Sequence, residues 1–113
     1  MKLLGIALVF PVLAALLAVG GCQSRGVSSG STCPTDSVLT YETFGSAFMQ
    51  TYCTECHGGL NTLTGIQNQG LAIIDEQAAA GPDAINVSMP QGLGEPTELE
   101  RQQLGEWLAC GAP

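Results

Sequence analysis

Cys53-Thr54-Glu55-Cys56-His57 places two thiols three positions apart and an imidazole immediately after the second. Thiols at that spacing can add across the two vinyl groups of one haem, and the adjoining histidine can then ligate the iron from the same side. Two other chemistries use close cysteine pairs. A zinc site would combine Cys53 and Cys56 with Cys33 and Cys110 or His57, but zinc ligands usually come as two close pairs, and Cys33 and Cys110 are isolated in sequence. A redox-active dithiol would want strands and a parallel sheet around it, and no segment of this chain alternates convincingly.

An iron held by His57 needs a sixth ligand or stays open. His57 is the only histidine, so ligation by two histidines of one chain is impossible. Beyond the initiator, the methionines are Met49 and Met89. Met49 lies four residues before Cys53, on the segment that approaches the proximal side, and is expected to be packing. Met89 follows His57 by 32 residues, in Asn86-Val87-Ser88-Met89-Pro90-Gln91-Gly92, a loop long enough to pass to the other side. Pro90 restricts the residue before it to extended geometry, which helps project the thioether. A thioether opposite imidazole is soft and favours ferrous iron. The competing expectation is that Met89 is an apolar loop residue and the iron is open to ligands.

These groups must be held by helices. Tyr41, Phe44, Phe48 and Tyr52 recur at intervals of three and four, one face of a helix running into the cysteines, with Thr40 as its N-cap. A middle helix is predicted over about 69–80, with Leu71, Ile74 and Ala78 on one side and Gly81-Pro82 as the stop. The last helix is the best defined. Thr97 and Glu100 form a capping-box pair, Leu104, Trp107 and Leu108 its apolar face, and Gly111 with Pro113 its end. The predicted class is all-α, one small domain in which core and haem pocket largely coincide.

The N-terminus reads differently. Met1-Lys2, an apolar run from Leu3 to Val19 and Gly20-Gly21-Cys22 describe an export signal. Val19-Gly20-Gly21-Cys22 resembles a bacterial lipobox, which implies a lipid on Cys22 and cleavage before it; a plain signal peptide or a retained anchor are the alternatives. The expected organisation is a signal over 1–21, a flexible tether over 22–32 and a folded domain over 33–113. Cysteine accounting supports it: with Cys22 lipidated and Cys53 and Cys56 on haem, Cys33 and Cys110 remain for an intrachain disulfide in an oxidising compartment. Removing residues 1–21 also removes Lys2, taking the formal charge from −7 to −8. Nucleic acid is thereby excluded as a partner, and a redox partner with a basic docking surface is favoured.

Taken together, residues 33–113 resemble a class I c-type cytochrome, and the tail from Met89-Pro90 to Pro113 resembles exported bacterial cytochrome-like lipoproteins. The resemblance implies one covalently attached haem c, a helical domain wrapped around it, axial ligation by His57 and Met89, and membrane attachment on the periplasmic side of the cell envelope. It also implies that Gly45 is small so that the last helix can cross closely, with Trp107 in the crossing. The family's proline after the histidine is missing, so the carbonyl that would orient His57 is not specified. One-electron transfer is the implied function rather than catalysis, since no acid–base pair is evident. A haem-based ligand sensor and a structural lipoprotein with a zinc or disulfide core are the alternatives.

Overall fold

Residues 26–92 and 94–113 are described by the computed structural model; the expected export segment, Cys22 and residues 23–25 lie outside them. Thr40 opens the first helix as expected. Its hydroxyl accepts from the Thr43 N–H (3.1 Å) and the Thr43 hydroxyl accepts from the Thr40 N–H (2.9 Å), so each residue caps the other. The chain passes through a wide π-type turn, Tyr41–Gly45, into α1, Ser46–Tyr52. Phe48 and Met49 of α1 are buried, Met49 to 1% exposure, which fits its assignment to packing. A 3₁₀ turn, Gly58–Asn61, follows the Cys-His segment.

The middle of the chain forms two helices, of which the second lies within the helix expected over 69–80 and the first was not expected. α2, Leu63–Gln69, and α3, Leu71–Ala78, meet at Gly70. Gly70 has φ +96°, a conformation only glycine adopts without strain, and its N–H closes α2 on the Ile66 and Gln67 carbonyls. α3 ends at Ala78, before Gly81-Pro82, because Ala79 and Ala80 have other partners. Ala79 accepts from the Asn86 N–H, and the Ala80 N–H donates to the Arg101 carbonyl. Residues 79–89 thus fold back as a strap along α3, with one antiparallel bridge, Ala80 to Ile85. The face proposed from sequence is correct: Ile74 and Ala78 are buried and Leu71 packs against the same core.

α4, Glu98–Ala109, has the expected reciprocal cap between Thr97 and Glu100. Leu104, Trp107 and Leu108 are buried, and α4 lies mainly against α3. Trp107 also meets the first helix. Its ring stands edge-on to Phe44 at 6.1 Å, and a β-carbon built on Gly45 would collide with its six-membered ring. Cys33 and Cys110 form a disulfide with a sequence separation of 77, tying the segment before the first helix to the end of α4. In the chain-entropy picture a link over that length stabilises by up to about 4–5 kcal/mol. Among the described residues no helix is long and apolar enough to cross a membrane.

The expected flexible tether is not flexible over 26–32. Ser29 is fully buried, and both its N–H (2.7 Å) and its hydroxyl (2.5 Å) donate to the Asp75 carboxylate. The Val27 carbonyl accepts from the Asn86 side chain at 2.7 Å, and the Ser31 hydroxyl donates to the Ala80 carbonyl. The segment adheres by satisfying polar groups, which its small polar composition did not advertise. The ordered body therefore includes Gly26 and does not begin at Cys33.

The Gly45 contact gives a stability test. Trp107 is 0% exposed and has no room to retreat, so Gly45→Ala should cost about 1–3 kcal/mol as an overpacking change. Nothing lies within 4 Å of a β-carbon at Gly58, and Gly58→Ala should stay within about 0.5 kcal/mol of wild type. Denaturant unfolding of the two variants reads the difference.

Candidate functional site

α1 stops one residue before the first thiol. The N–H groups of Cys53 and Thr54 both reach back to the Met49 carbonyl (2.8 and 3.0 Å), and the His57 N–H closes on the Cys53 carbonyl at 2.9 Å. The pentapeptide is therefore a hydrogen-bonded turn hung on the end of a packed helix. Cys53 is partly buried, whereas Cys56 and His57 are exposed. Burial pushes the Cys53 thiol up to about 11. The imidazole makes no side-chain hydrogen bond among the described residues, so the carbonyl that would orient it is still not identified.

Met89 arrives from the strap. Its N–H donates to the Gln77 carbonyl at 2.9 Å, and the Ser88 hydroxyl donates to the same carbonyl at 3.1 Å. Met89 is partly buried against the core. Cys53, Cys56, His57 and Met89 all line one cleft of about 340 Å³. Leu60, Ile73, Ile74 and Ala78 supply apolar wall, and Tyr52, Gln77 and Gln91 sit among them. That volume falls within the range of cofactor and small-ligand pockets. Two other depressions, of about 250 and 360 Å³, lie beside Ser31 and contain neither thiol nor imidazole.

The residues present fit a covalently held haem. An apolar cleft gathers two thiols, an imidazole and a thioether, nitrogen and soft sulfur donors of the kind that bind haem iron. They fit the rival chemistries less well. Two of the sulfurs a zinc site would draw on are already joined to each other in the Cys33–Cys110 disulfide, and among the described residues no three His, Cys, Asp or Glu side chains gather around one point. The elements flanking Cys53 are helices and turns.

Two residues of the neighbourhood were not picked out by the site reading of the sequence. Tyr52, assigned only to a helix face, lines the cleft, and its hydroxyl donates to the Glu100 carboxylate at 3.0 and 3.2 Å, joining α1 to α4. Arg101 is buried, and its Nη1 donates to the Met89 carbonyl at 2.7 Å. Its position relative to Leu104, Gly105 and Leu108, at steps of three, four and seven, marks the buried face of α4, and that periodicity was the signal available. Compared with protein families, with curated proteins and with solved structures, the chain matches none.

The Tyr52–Glu100 pair sets a pH dependence. The hydrogen bond from the Thr97 N–H, with those from Tyr52 and Thr97 hydroxyls, holds the Glu100 carboxyl below the usual glutamate range against a smaller opposing effect of burial. Its contribution is present above the ordinary glutamate pKa and is lost as pH falls through the lowered folded value. The hydrogen bond to Glu100, then burial and the carboxylate's charge, raise Tyr52 above 10.0. That contribution is complete below pH 10 and is lost as pH rises through the raised folded value. Stability measured by unfolding from about pH 3 to about pH 11 should fall at both ends. Tyr52→Phe should flatten the alkaline fall, and Glu100→Gln should flatten both.

Proposed function

We propose that the protein is a monohaem electron carrier of the class I c-type cytochrome kind, with its helices packed around one haem c. The observation that carries the reading is the convergence of Cys53, Cys56, His57 and Met89 on one apolar cleft from two separate stretches of chain. Cys53 and Cys56 would hold the group through thioether bonds, and His57 and Met89 would supply nitrogen and sulfur to its iron. When bound, the haem supplies one-electron exchange between ferric and ferrous states. The chain's own part is to fix the donors and to keep water from the cofactor. The turn at the end of α1 carries the thiols, the strap carries Met89, and Leu60, Ile74 and Ala78 form an apolar wall. A soft thioether ligand favours the ferrous state and raises the potential.

The acidic surface supports a partner with a basic docking face. Among residues 26–113 the acids are unopposed at the surface, because the only Lys or Arg there, Arg101, is buried. Export to the cell envelope and anchoring by a lipid on Cys22 complete the reading.

Because thioether bonds are covalent, haem should survive denaturing electrophoresis and stain in the gel, and joint replacement of Cys53 and Cys56 by serine should abolish the stain. The ferric protein should show the weak near-infrared band of sulfur-to-iron charge transfer. Met89→Ala should remove the band, lower the potential and open the ferrous iron to carbon monoxide, while Met49→Leu leaves all three unchanged. A wild-type ferrous protein that already binds carbon monoxide, with Met89→Ala silent, would make ligand binding the better description.

Location has its own test. Labelled fatty acid should enter wild type, and Cys22→Ala should release the protein from membranes with haem retained; a variant that stays membrane-bound indicates a retained apolar anchor.

A further inference from the structure

Arg101 has no part in the reading above, yet its placement demands an explanation. It is 2% exposed, on the face of α4 that also buries Leu104, Gly105 and Leu108. A guanidinium taken out of water is costly unless its hydrogen bonds are replaced. No carboxylate pairs with it among the described residues. Instead Nη1 donates to three backbone carbonyls: Ala78 at 2.9 Å, Asn86 at 2.9 Å and Met89 at 2.7 Å. Nη2 has no partner among the described residues.

The three acceptors are not a random set. Ala78 is the last residue of α3, whose terminal carbonyls have no partner within the helix and carry the negative end of its dipole. Asn86 and Met89 belong to the strap. One nitrogen on α4 thus ties the end of α3 to two points of the segment that carries Met89. Met89 is also held from the other side, through its N–H on the Gln77 carbonyl. With N–H and C=O both fixed, the direction in which its side chain leaves the backbone is fixed too. Charge-assisted bonds are roughly twice as strong as neutral ones, which is what a cation contributes here that an amide would not.

We infer that Arg101 is a positioning residue for the sixth iron ligand: it clamps the Met89 backbone so that the thioether stays on the metal and keeps small ligands out. The inference rests on the haem reading above. It differs from a stability role, because it locates the effect of losing Arg101 in the Met89–iron bond.

The test uses the holoprotein with Arg101→Lys or Arg101→Gln, each also in a Met89→Ala background. The readouts are the sulfur-to-iron band, the reduction potential and the rate at which carbon monoxide combines with the ferrous iron. All three bonds converge on one nitrogen, so a lysine ammonium with its three donors replaces part of the clamp and a neutral glutamine amide less. Carbon monoxide should combine about threefold faster in Arg101→Lys and about tenfold or more in Arg101→Gln, with a weakened band and a lowered potential. In the Met89→Ala background Arg101→Gln should change neither rate nor potential, the signature of an effect transmitted through Met89. A glutamine variant with the wild-type band and rate overturns the inference, and so does an equal potential shift in both backgrounds. Should the glutamine variant not assemble, a lysine variant with the wild-type rate overturns it alone. If wild type lacks the band and Met89→Ala is silent, the ligation reading itself has failed and the inference falls with it.

Discussion

A buried guanidinium with no salt-bridge partner among the described residues constrains everything around it. Arg101 can stay folded into the body only if backbone carbonyls surround it, and helices do not normally leave carbonyls free in their middles. The supply comes from the end of α3 and from the strap after it, which are the places where the ladder runs out. The end of α3 at Ala78 and the strap folded back along it meet that requirement. Ala80 then donates to the Arg101 carbonyl, so the same residue is grasped through both its side chain and its main chain. α3, the strap and α4 are one mechanical unit with a charge at its centre.

The cleft is where this unit meets the unit built on α1. The first helix is located by the close crossing of Gly45 on Trp107 and by Tyr52 on Glu100, and the two thiols and the imidazole hang from its end. Met89 belongs to the other unit. A cofactor bridging the two would therefore join parts of the chain already linked by the aromatic contacts, the Tyr52–Glu100 bond, the Tyr41 N–H on the Pro113 carbonyl and the disulfide. For so small a body, burying a large apolar group is also a material gain in core. The exposed Cys56 and His57 stand at the rim of the cleft, so the proposed haem would present an edge to a partner.

Much of this was legible in the residues. Thr40, Thr97 and Glu100 were readable because capping is local chemistry, decided within three or four positions. Trp107 was readable from helical spacing, Met49 from its place four residues before Cys53, and the Cys33–Cys110 bond from counting sulfurs. α2 was missed because Leu63–Gln69 carries only Leu63 and Ile66 as large apolar residues, with a glycine between them, too thin a stripe to read as a helix. The attachment of residues 26–32 was invisible for a different reason: Ser29 binds Asp75 across 46 positions, and pattern reading detects apolar faces, not long-range polar satisfaction. Arg101 fell between the two. Its position on the apolar face was in the periodicity, but a charge there is normally read as solvated. Types, spacing and elimination singled out Cys53, Cys56, His57 and Met89, and the fold brings all four to one cleft.

Whether the protein holds iron, and what surrounds that iron, decides the proposed function. X-ray absorption at the iron edge of the purified ferric protein measures that directly. The account predicts one iron per chain with a single sulfur and otherwise nitrogen in its coordination sphere, the sulfur lost on replacing Met89. Iron absent from the purified protein, or iron with no sulfur neighbour, would contradict it.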